Sequence, residues 1–383
     1  MERLLLQYTT EHATDGIIAV NDCDLGPFDL TLKDHSAPYR QLSHFGSIRL
    51  PERPKLLRRS RMQAAVLRYG TPVYWNCLPD RYSRRIARRS NAIYYDHCLA
   101  WYQPAGYHRT NKYFSFAIAC SYASARMLAL NWGFENHIFV CANPVLRERP
   151  ALAKSKPAPI NRCLKIGVVG RLTDVKGVAL ALSAISIANR RGIPCELHVA
   201  GTGPNQAYLK RHAFELGIAS RVTWLGHIEQ VDDFYDQVDC IVHATLHEPS
   251  GLVLREACAA ACPVISTRID GIPEWFGNSP AAQLIAPTIQ SEDYARYYTS
   301  GRPDMPPVCY DPDLDCVRMP AAPDPETIAD CIEKWTTDAE AYELASRSAI
   351  ELSRSEGHSV ESFNARLSKI LDRADKSGPQ NRF

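Results

Sequence analysis

Short apolar segments alternate with amphipathic helical patterns along most of the chain. This alternation is typical of parallel β-strands joined by crossover helices. In the first part, strands are predicted near 73–77, 93–97, 116–120 and 138–142, and helices near 80–89 and 122–132. Ahead of them, LLLQYTT and GIIAVND both resemble strands, and LLRRSRMQAAVLRYG resembles a helix.

A second strand–helix series begins at Cys163. Its predicted strands are CLKIGVVG, CELHVAG, VTWLG, CIVHATL and PVIST, and its predicted helices cover 177–191, 204–216 and 251–261. Between the two series, residues 151–160 lack periodicity and contain two prolines, which favours a linker. The pattern therefore predicts two doubly wound α/β domains in tandem.

The last third of the chain is less regular. Residues 288–322 are rich in Pro and Asp and predict an irregular excursion that could cover a cleft as a lid. Helices resume at 325–336 and continue to about residue 373. The predicted divisions are 1–155, 156–355 and 356–383, where the third holds a tail and a helix that could cross back to the first domain.

Composition excludes several classes of protein. Of the 383 residues, 45% are hydrophobic and 22% are charged, which argues against a disordered or collagen-like chain. The net charge of +2 gives no global field that favours nucleic acid. No apolar run approaches the roughly 18–20 residues of a bilayer-spanning helix. The apolar stretch at the start of the chain is too short for a secretory signal. A cytoplasmic location is predicted.

Charge is nevertheless uneven. Residues 40–89 contain thirteen Lys and Arg against Glu52 and Asp80. Two interpretations stay open: a solvated helix surface, or a face that docks an acidic acceptor or the anionic inner face of a membrane.

The thirteen cysteines are odd in number and scattered, and no C-x-x-C occurs. Several lie in apolar runs, where a thiol behaves as a small core residue. Reduced thiols are predicted, with neither disulfides nor a metal site.

The strongest chemical signal is VVGRLTDVKG, residues 168–177. Arg171 and Lys176 flank the turn between a buried strand and a helix. Ligands of open α/β sheets bind beyond the carboxyl ends of strands. Because Arg binds phosphate through a fork and Lys as a point charge, the pair suits a diphosphate.

The second signal is HEPSGLVLREA, which follows another buried strand. Ser250 and Gly251 open a helix whose free N–H groups favour an anion. Glu248 precedes this helix and Glu256 lies within it. A carboxylate beside a phosphate is favourable only when it accepts hydrogen bonds from hydroxyl groups, so the combination predicts a sugar nucleotide.

These residues resemble the GT-B glycosyltransferases that carry the E-x7-E motif, a mostly retaining group. The matching segments are GRLTDVKG, AGTGP, WLGHI, HEPSGLVLREA and DGIPEWF, in family order over about 165–276. Weaker similarity in YYDHC, IACSYASARM and FVCANPV extends the resemblance to roughly 73–372. The resemblance implies two Rossmann-like domains that face each other across a cleft. Unlike the family, the first seventy residues contain no Gly-Gly turn.

The resemblance also implies roles for individual residues. Arg171 and Lys176 would bind the donor diphosphate, and Glu248 would contact the donor sugar near the reacting carbon. Glu256 would hold the ribose hydroxyls. His97, at the end of a strand of the first domain, would face the donor sugar.

Backbone groups complete the implied donor site. The N–H groups of Ser250, Gly251 and Leu252 would assist in binding the diphosphate. The stretch that starts at His227 would lie along the nucleobase.

The sequence thus favours transfer of a sugar from a UDP- or GDP-linked donor to a hydroxyl of a saccharide or lipid-linked acceptor. The expected pathway is the synthesis of polysaccharide, lipopolysaccharide or glycolipid, with retention of configuration and with neither metal nor other cofactor. Two alternatives stay open: a sugar-nucleotide epimerase of the same architecture, and a non-catalytic subunit that binds sugar nucleotides.

Overall fold

A computed structural model describes residues 17–20, 44–45, 48–49, 71–76, 78, 87–88, 91–102, 111–145, 154–294, 305–355 and 359–376. The predicted strand LLLQYTT, the helix in LLRRSRMQAAVLRYG and most of the basic region 40–89 lie outside these residues. So does the predicted helix at 80–89, apart from 87–88. The chain forms two compact units, Met1–Leu146 with Val360–Phe383, and Arg147–Ser359.

The first unit is built on a parallel five-stranded sheet whose strand order follows the chain. The strands are β1 (Ile17–Val20), β2 (Thr71–Trp75), β3 (Ile93–Asp96), β4 (Phe116–Ala119) and β5 (Ile138–Val140). Helix α1 (Tyr122–Leu130) follows β4, and the side chain of Ser121 accepts a hydrogen bond from the N–H of Ser124 at its start. The predicted strands are confirmed: β2 starts and ends two residues earlier than predicted, and β3, β4 and β5 end one or two residues earlier. Of the first two candidates, GIIAVND forms β1.

The second unit contains a parallel six-stranded sheet. Its strands are β6 (Leu164–Val169), β7 (Cys195–Ala200), β8 (Val222–Gly226), β9 (Cys240–His243), β10 (Val264–Thr267) and β11 (Ala282–Ile285). The spatial order is β8-β7-β6-β9-β10-β11, so the direction of winding reverses between β6 and β9. Such a reversal leaves a crevice at the carboxyl ends of the two strands, where open α/β sheets bind ligands.

Helices cover the second sheet. They are α2 (Val178–Arg190), α3 (Gln206–Glu215), α4 (Val231–Gln237), α5 (Leu252–Ala259), α6 (Ile272–Phe276), α7 (Pro325–Thr337) and α8 (Ala339–Ser353). Nearly every residue of α2 is buried, because α7 packs over it with Ile328, Ile332 and Trp335. The predicted helices at 177–191, 204–216 and 251–261 are confirmed, whereas the short helices α4 and α6 and strand β11 were not predicted.

The predicted linker is anchored to the second unit where it is described. The Nζ of Lys156 donates to the carbonyl oxygens of Tyr235 and Val238, each at 2.8 Å, at the end of α4. The N–H of Lys156 donates to the hydroxyl of Ser346 at 2.8 Å. These bonds fix the path of the chain into β6 and make this part of 151–160 an ordered component of the unit.

The predicted excursion at 288–322 has regular structure in its described residues. Cys309–Asp311 pairs antiparallel with Cys316–Arg318, and Ile289–Gln290 pairs with Ala321–Ala322. Arg268 holds the first of these hairpins through a bidentate ion pair with Asp313, the shortest distance being 2.6 Å. The expectation of irregular structure is therefore wrong for the described part, which contains a hairpin fastened to Arg268 beside β10. A role as a lid stays a prediction.

The last helix, α9 (Val360–Lys376), belongs to the first unit. Its side chains Phe363, Leu367 and Leu371 are buried in one apolar cluster with Trp75 and Ile118 of the first sheet. The units divide after residues 146 and 359, whereas the sequence placed the divisions after 155 and 355. None of the helices in the described ranges has the length and apolar character needed to cross a membrane.

Candidate functional site

Two glycines bring three loops together at the carboxyl edge of the second sheet. A Cβ on Gly177 would lie 1.9 Å from the carbonyl oxygen of Ala244, and a Cβ on Gly201 would lie 1.8 Å from that of Gly170. The φ angles are +61° and +144°, a region that glycine adopts readily. The loop after β6 therefore packs directly on the ends of β7 and β9.

Hydrogen bonds reinforce this contact between β6 and β9. The carbonyl oxygen of Val175 accepts from the N–H of Leu246 at 2.8 Å and from the hydroxyl of Thr245 at 3.0 Å. The same hydroxyl also reaches the carbonyl oxygen of His247 at 2.9 Å. Because Val175 precedes Lys176 and His247 precedes Glu248, this bonding fixes the two functional candidates relative to each other.

Lys176 and Glu248 form an ion pair at the switch point. The Nζ of Lys176 lies 2.8 Å from Oε2 of Glu248, and the side chains are 25% and 16% exposed. Nε2 of His243, the last residue of β9, lies 3.3 Å from the same carboxylate oxygen. The sequence predicted both members of the ion pair but not their direct contact.

This environment determines the ionisation of the cluster. Burial opposes the charge on Glu248, but Lys176 and the hydrogen bond with His243 outweigh it and hold the pKa of that carboxyl well below its ordinary value. Burial lowers the pKa of His243 despite its acidic neighbour. Glu248 is therefore an anion at neutral pH, and a neutral His243 in the Nε2–H tautomer donates to it.

The depressed pKa of Glu248 predicts a pH-dependent contribution to stability. A carboxyl whose pKa is lower in the folded state stabilises the protein above its unfolded pKa, and this stabilisation is lost as the pH falls through the folded pKa. We expect Glu248→Gln to lower the free energy of unfolding at pH 7, and the difference from wild type to shrink below about pH 4. Urea unfolding between pH 7 and pH 3 measures it.

The matched control for this experiment is Glu351→Gln, because Glu351 is an exposed residue on α8 of the same unit. It should give the same small difference at every pH. A Glu248→Gln difference that stays constant, or grows as the pH falls, would contradict the assigned ionisation.

Helix α5 begins beside this ion pair. Gly251 is its N-cap residue, in the left-handed conformation with φ of 66°, and its N–H donates to Oε1 of Glu248 at 3.0 Å. The hydroxyl oxygen of Ser250 is buried and has no hydrogen-bond partner in the part of the chain that is described. The N–H of Gly251 can bind a phosphate only if the phosphate displaces the carboxylate of Glu248. The hydroxyl of Ser250 and the N–H of Leu252 are not bonded to that carboxylate.

Glu256 lies farther along α5 and is half-buried. Its Oε2 accepts a hydrogen bond from the hydroxyl of Tyr235 at 3.2 Å, and that hydroxyl also lies 3.2 Å from the carbonyl oxygen of Val253. Tyr235 is a buried residue of α4, and no pattern in the sequence indicated a role for it. The hydroxyl of Tyr235 holds one oxygen of the Glu256 carboxylate, and the hydrogen bond to the ribose that is predicted for Glu256 would use the other oxygen.

Arg171 and His227 lie at the same edge of the sheet. Arg171 follows β6 and is exposed, and its guanidinium has neither an ion pair nor a hydrogen bond to any described residue. His227 is exposed and follows Gly226, whose carbonyl oxygen accepts from the N–H of Gly201 at 2.7 Å. The structure thus brings Arg171, Lys176, Glu248 and the start of α5 to the β6–β9 switch point, with His227 beyond β7.

A buried aspartate supports the loop that carries Glu248. Oδ2 of Asp270 accepts from the N–H of Glu248 at 2.9 Å and lies 2.7 Å from Nδ1 of His247. DGIPEWF belonged to the family resemblance, but nothing in the sequence indicated what Asp270 contacts, because its partners lie more than twenty residues away.

His97 belongs to the first unit and directly follows β3. Its ring stacks on Trp75 and Tyr95, with centroids 5.1 and 4.5 Å away, and both ring nitrogens are without a hydrogen-bond partner among the described residues. Burial lowers the pKa of His97 to about 3. The imidazole is therefore neutral at physiological pH, and its contact with a donor sugar stays a prediction.

The arrangement in the second unit suits an anion that carries hydroxyl groups. Two cationic side chains and the start of a helix favour phosphate, and the carboxylates of Glu248 and Glu256 are placed to accept from hydroxyls.

The hairpin carries an aspartate at every second position from 311 to 315, but these side chains do not form one cluster. Asp311 pairs with Arg318, Asp313 pairs with Arg268, and Asp315 accepts from the hydroxyl of Tyr310. Within the described ranges, no group of three acidic, His or Cys side chains could hold a metal ion.

Residues 154–300 match a protein family described as glycosyl transferases group 1. The match covers β6 to β11 and therefore every candidate residue of the second unit. This segment carries the sequence pattern of that family.

Similar proteins have been identified by sequence. The chain is 32% identical over 128 residues to the lipopolysaccharide core biosynthesis glycosyltransferase LpsE of Rhizobium meliloti, a match that spans 33% of this chain and 36% of LpsE. The matches span about a third of the length of the curated relatives.

Solved structures match over nearly the whole chain. A glycosyltransferase from Rickettsia africae has a TM-score of 0.69 at 13% identity and covers 98% of this chain and 95% of its own. Anabaena Alr3699/HepE, crystallised with UDP and glucose, has a TM-score of 0.67 at 17% identity and covers 97% and 95%. At these identities the likeness establishes the fold, which is GT-B, with two Rossmann-like α/β units.

Proposed function

We propose that the chain is a glycosyltransferase whose donor, a nucleoside-diphosphate sugar, binds at the carboxyl edge of the second sheet. The observation that carries this proposal is the cluster of Lys176, Glu248 and the start of α5 at the β6–β9 switch point, beside Arg171. The family match over 154–300 supports it, because all of these groups lie within that segment.

The donor's diphosphate fits the cationic part of the site. Arg171 is exposed, and its guanidinium is not bonded to any of the residues that the structure describes. The Nζ of Lys176 keeps donor capacity beyond its bond to Glu248. The buried hydroxyl of Ser250 and the N–H of Leu252 add uncharged donors at the helix start. Glu256 would accept from the ribose, with its second oxygen held by Tyr235.

These groups act on the reaction through the charge of the leaving group. As the anomeric bond stretches, negative charge develops on the diphosphate and positive charge on the sugar ring. Arg171, Lys176 and the dipole of α5 interact more strongly with the developing charge than with the ground state, which accelerates the step. Because Glu248 is ionised at neutral pH, it serves as a hydrogen-bond acceptor and counter-charge near the anomeric carbon, not as a proton donor.

Retention of configuration is proposed from the E-x7-E resemblance, through attack on the same face of the sugar with the leaving phosphate accepting the proton of the acceptor hydroxyl. Catalysis without a metal ion is proposed on the same basis. His97 is proposed to contact the donor sugar as a neutral imidazole. This proposal is supported by its two ring nitrogens, which have no hydrogen-bond partner within the described part of the chain.

The proposed acceptor is a saccharide or a lipid-linked saccharide. The similarity to a lipopolysaccharide core glycosyltransferase supports this class. UDP is the first nucleotide to test, because the similar HepE structure contains UDP and glucose.

A thermal-shift panel of nucleoside diphosphates and their sugars tests the proposal. A ligand that binds only the folded protein raises its melting temperature. We expect at least one nucleoside diphosphate to raise it, and Arg171→Ala to reduce the shift, since the substitution breaks no ion pair or hydrogen bond between Arg171 and the described residues. A panel without any shift would overturn the proposal.

Product analysis separates the remaining alternatives. An epimerase converts the donor without an acceptor, whereas a transferase leaves a hydroxyl-bearing acceptor glycosylated. Binding without turnover on any acceptor would instead indicate a non-catalytic subunit.

A further inference from the structure

Asp270 occupies an unusual position beside the candidate site. Its side chain is fully buried, with 0% exposure, and its backbone has a φ of +48°, which few residues other than Gly, Asn and Asp adopt. A buried carboxylate is unfavourable unless its oxygens are well bonded. The contacts of Asp270 therefore indicate what the residue does.

One carboxylate oxygen bonds to the loop that carries the candidate catalytic glutamate. Oδ2 accepts from the N–H of Glu248 at 2.9 Å and lies 2.7 Å from Nδ1 of His247. The N–H of Gly271 donates in turn to the carbonyl oxygen of Glu248 at 3.3 Å, so both backbone groups of Glu248 are held.

The other oxygen bonds to the hairpin formed by Cys309–Asp311 and Cys316–Arg318. Oδ1 accepts from the N–H of Tyr310 at 2.8 Å, and the N–H of Asp270 donates to the carbonyl oxygen of Tyr310 at 3.1 Å. The hydroxyl of Tyr310 donates to Asp315 at 2.7 Å across the hairpin. The hairpin is itself fastened by the ion pair between Arg268 and Asp313. Asp270 thus joins a braced hairpin to the backbone of Glu248.

We propose that Asp270 is a positioning residue, which fixes the backbone of Glu248 against the hairpin so that the carboxylate of Glu248 meets the sugar and not the diphosphate of the donor. This inference rests on the proposed function. It gives the segment 309–318 a role in sugar transfer, through Asp270, without contact between that segment and the donor.

The geometry predicts a separation between nucleotide binding and turnover. Asp270→Asn keeps the size of the side chain but replaces one acceptor oxygen by an NH₂ group. In either orientation of the amide, the NH₂ group faces the backbone N–H of Glu248 or of Tyr310, from which the carboxylate of Asp270 accepts a hydrogen bond in the wild type. Arg171 and the start of α5 make no bond to Asp270, so the affinity for UDP should change by less than about threefold while kcat falls at least tenfold.

The matched control is Asp239→Asn. Asp239 is also buried, accepts from the N–H of Lys165 at 2.8 Å, and pairs with Arg162, but it precedes β9 and lies at the opposite edge of the sheet from the candidate site. We expect Asp239→Asn to lower the melting temperature as Asp270→Asn does, with kcat within about twofold of wild type. Hydrogen exchange adds a readout that needs no substrate: the N–H of Glu248 should exchange faster in Asp270→Asn and unchanged in Asp239→Asn.

Asp270→Gly keeps the test decisive if Asp270→Asn fails to fold, because glycine adopts the positive φ without strain. It removes the carboxylate, and the same loss of kcat is expected. The inference is overturned if either folded Asp270 variant retains wild-type kcat, or if UDP affinity falls as much as kcat. If the wild-type protein neither binds UDP or GDP nor transfers sugar, the proposed function fails, and this inference fails with it. If the wild type binds and transfers but the Asp270 variants keep its kcat, only this inference fails.

Discussion

Replacing Lys176 with alanine is expected to lower turnover at least tenfold while the second unit stays folded. Lys176 lies in the loop after β6, and its ammonium group is held at the switch point by Glu248, 2.8 Å away. The substitution removes positive charge from the place where the leaving diphosphate becomes negative. Loss of one such stabilising group typically slows a reaction by about 10² to 10³.

Steady-state kinetics with the donor identified in the thermal-shift panel measures this effect. Lys165→Ala is the matched control, because Lys165 is an exposed lysine on β6, the strand that leads into the same loop. It should leave kcat unchanged. Glu248→Ala and Arg171→Ala should each lower turnover at least tenfold as well, and near-normal rates in two of the three site variants would refute the assignment.

Replacing Gly177 with alanine is expected to cause a large loss of stability of the second unit. The new Cβ would lie 1.9 Å from the carbonyl oxygen of Ala244, which belongs to the backbone and cannot rotate away. The residue also has a φ of +61°, which is strained for alanine. We expect the free energy of unfolding to fall by at least about 3 kcal/mol, because β9 and the loop with Lys176 must separate.

Gly217→Ala separates strain from collision. Gly217 has a φ of +72°, but a Cβ there would meet no atom within 4 Å. Only the strain of the left-handed conformation remains, about 1 kcal/mol. Denaturant unfolding of both variants gives the comparison, and equal losses would show that Gly177 and Ala244 do not pack as described.

The helix–strand order of the chain could be predicted from its sequence because each element is encoded locally. Strands β6 to β10 and helix α2 show apolar patterns whose ends the structure moves by only a few residues. Short elements escaped prediction: β11 (Ala282–Ile285) is half-buried along most of its length and gives no apolar run. Strand order, including the reversal between β6 and β9, follows from pairing between distant segments and is absent from local patterns.

The candidate residues could likewise be found from the sequence, but not their mutual contacts. Arg171, Lys176, Glu248 and Glu256 stand out because charged residues beside strand ends and helix starts favour anion and hydroxyl binding. The ion pair of Lys176 with Glu248 joins positions 72 residues apart, so only folding reveals it. The same applies to the contact of Glu248 with His243, because a histidine at the end of a predicted strand gave no indication of its partner.

The segment 288–322 shows the limit most clearly. Its Pro and Asp content predicted irregular structure, because these residues disfavour long strands and helices. In the structure, Arg268 and Asp270 supply the bonds that organise residues 309–318 into a hairpin. The sequence by itself determined the α/β class and the residues that carry charge at the strand ends. Tertiary structure alone decided which of them meet, because hydrogen bonds and ion pairs between distant residues form only when the chain has folded.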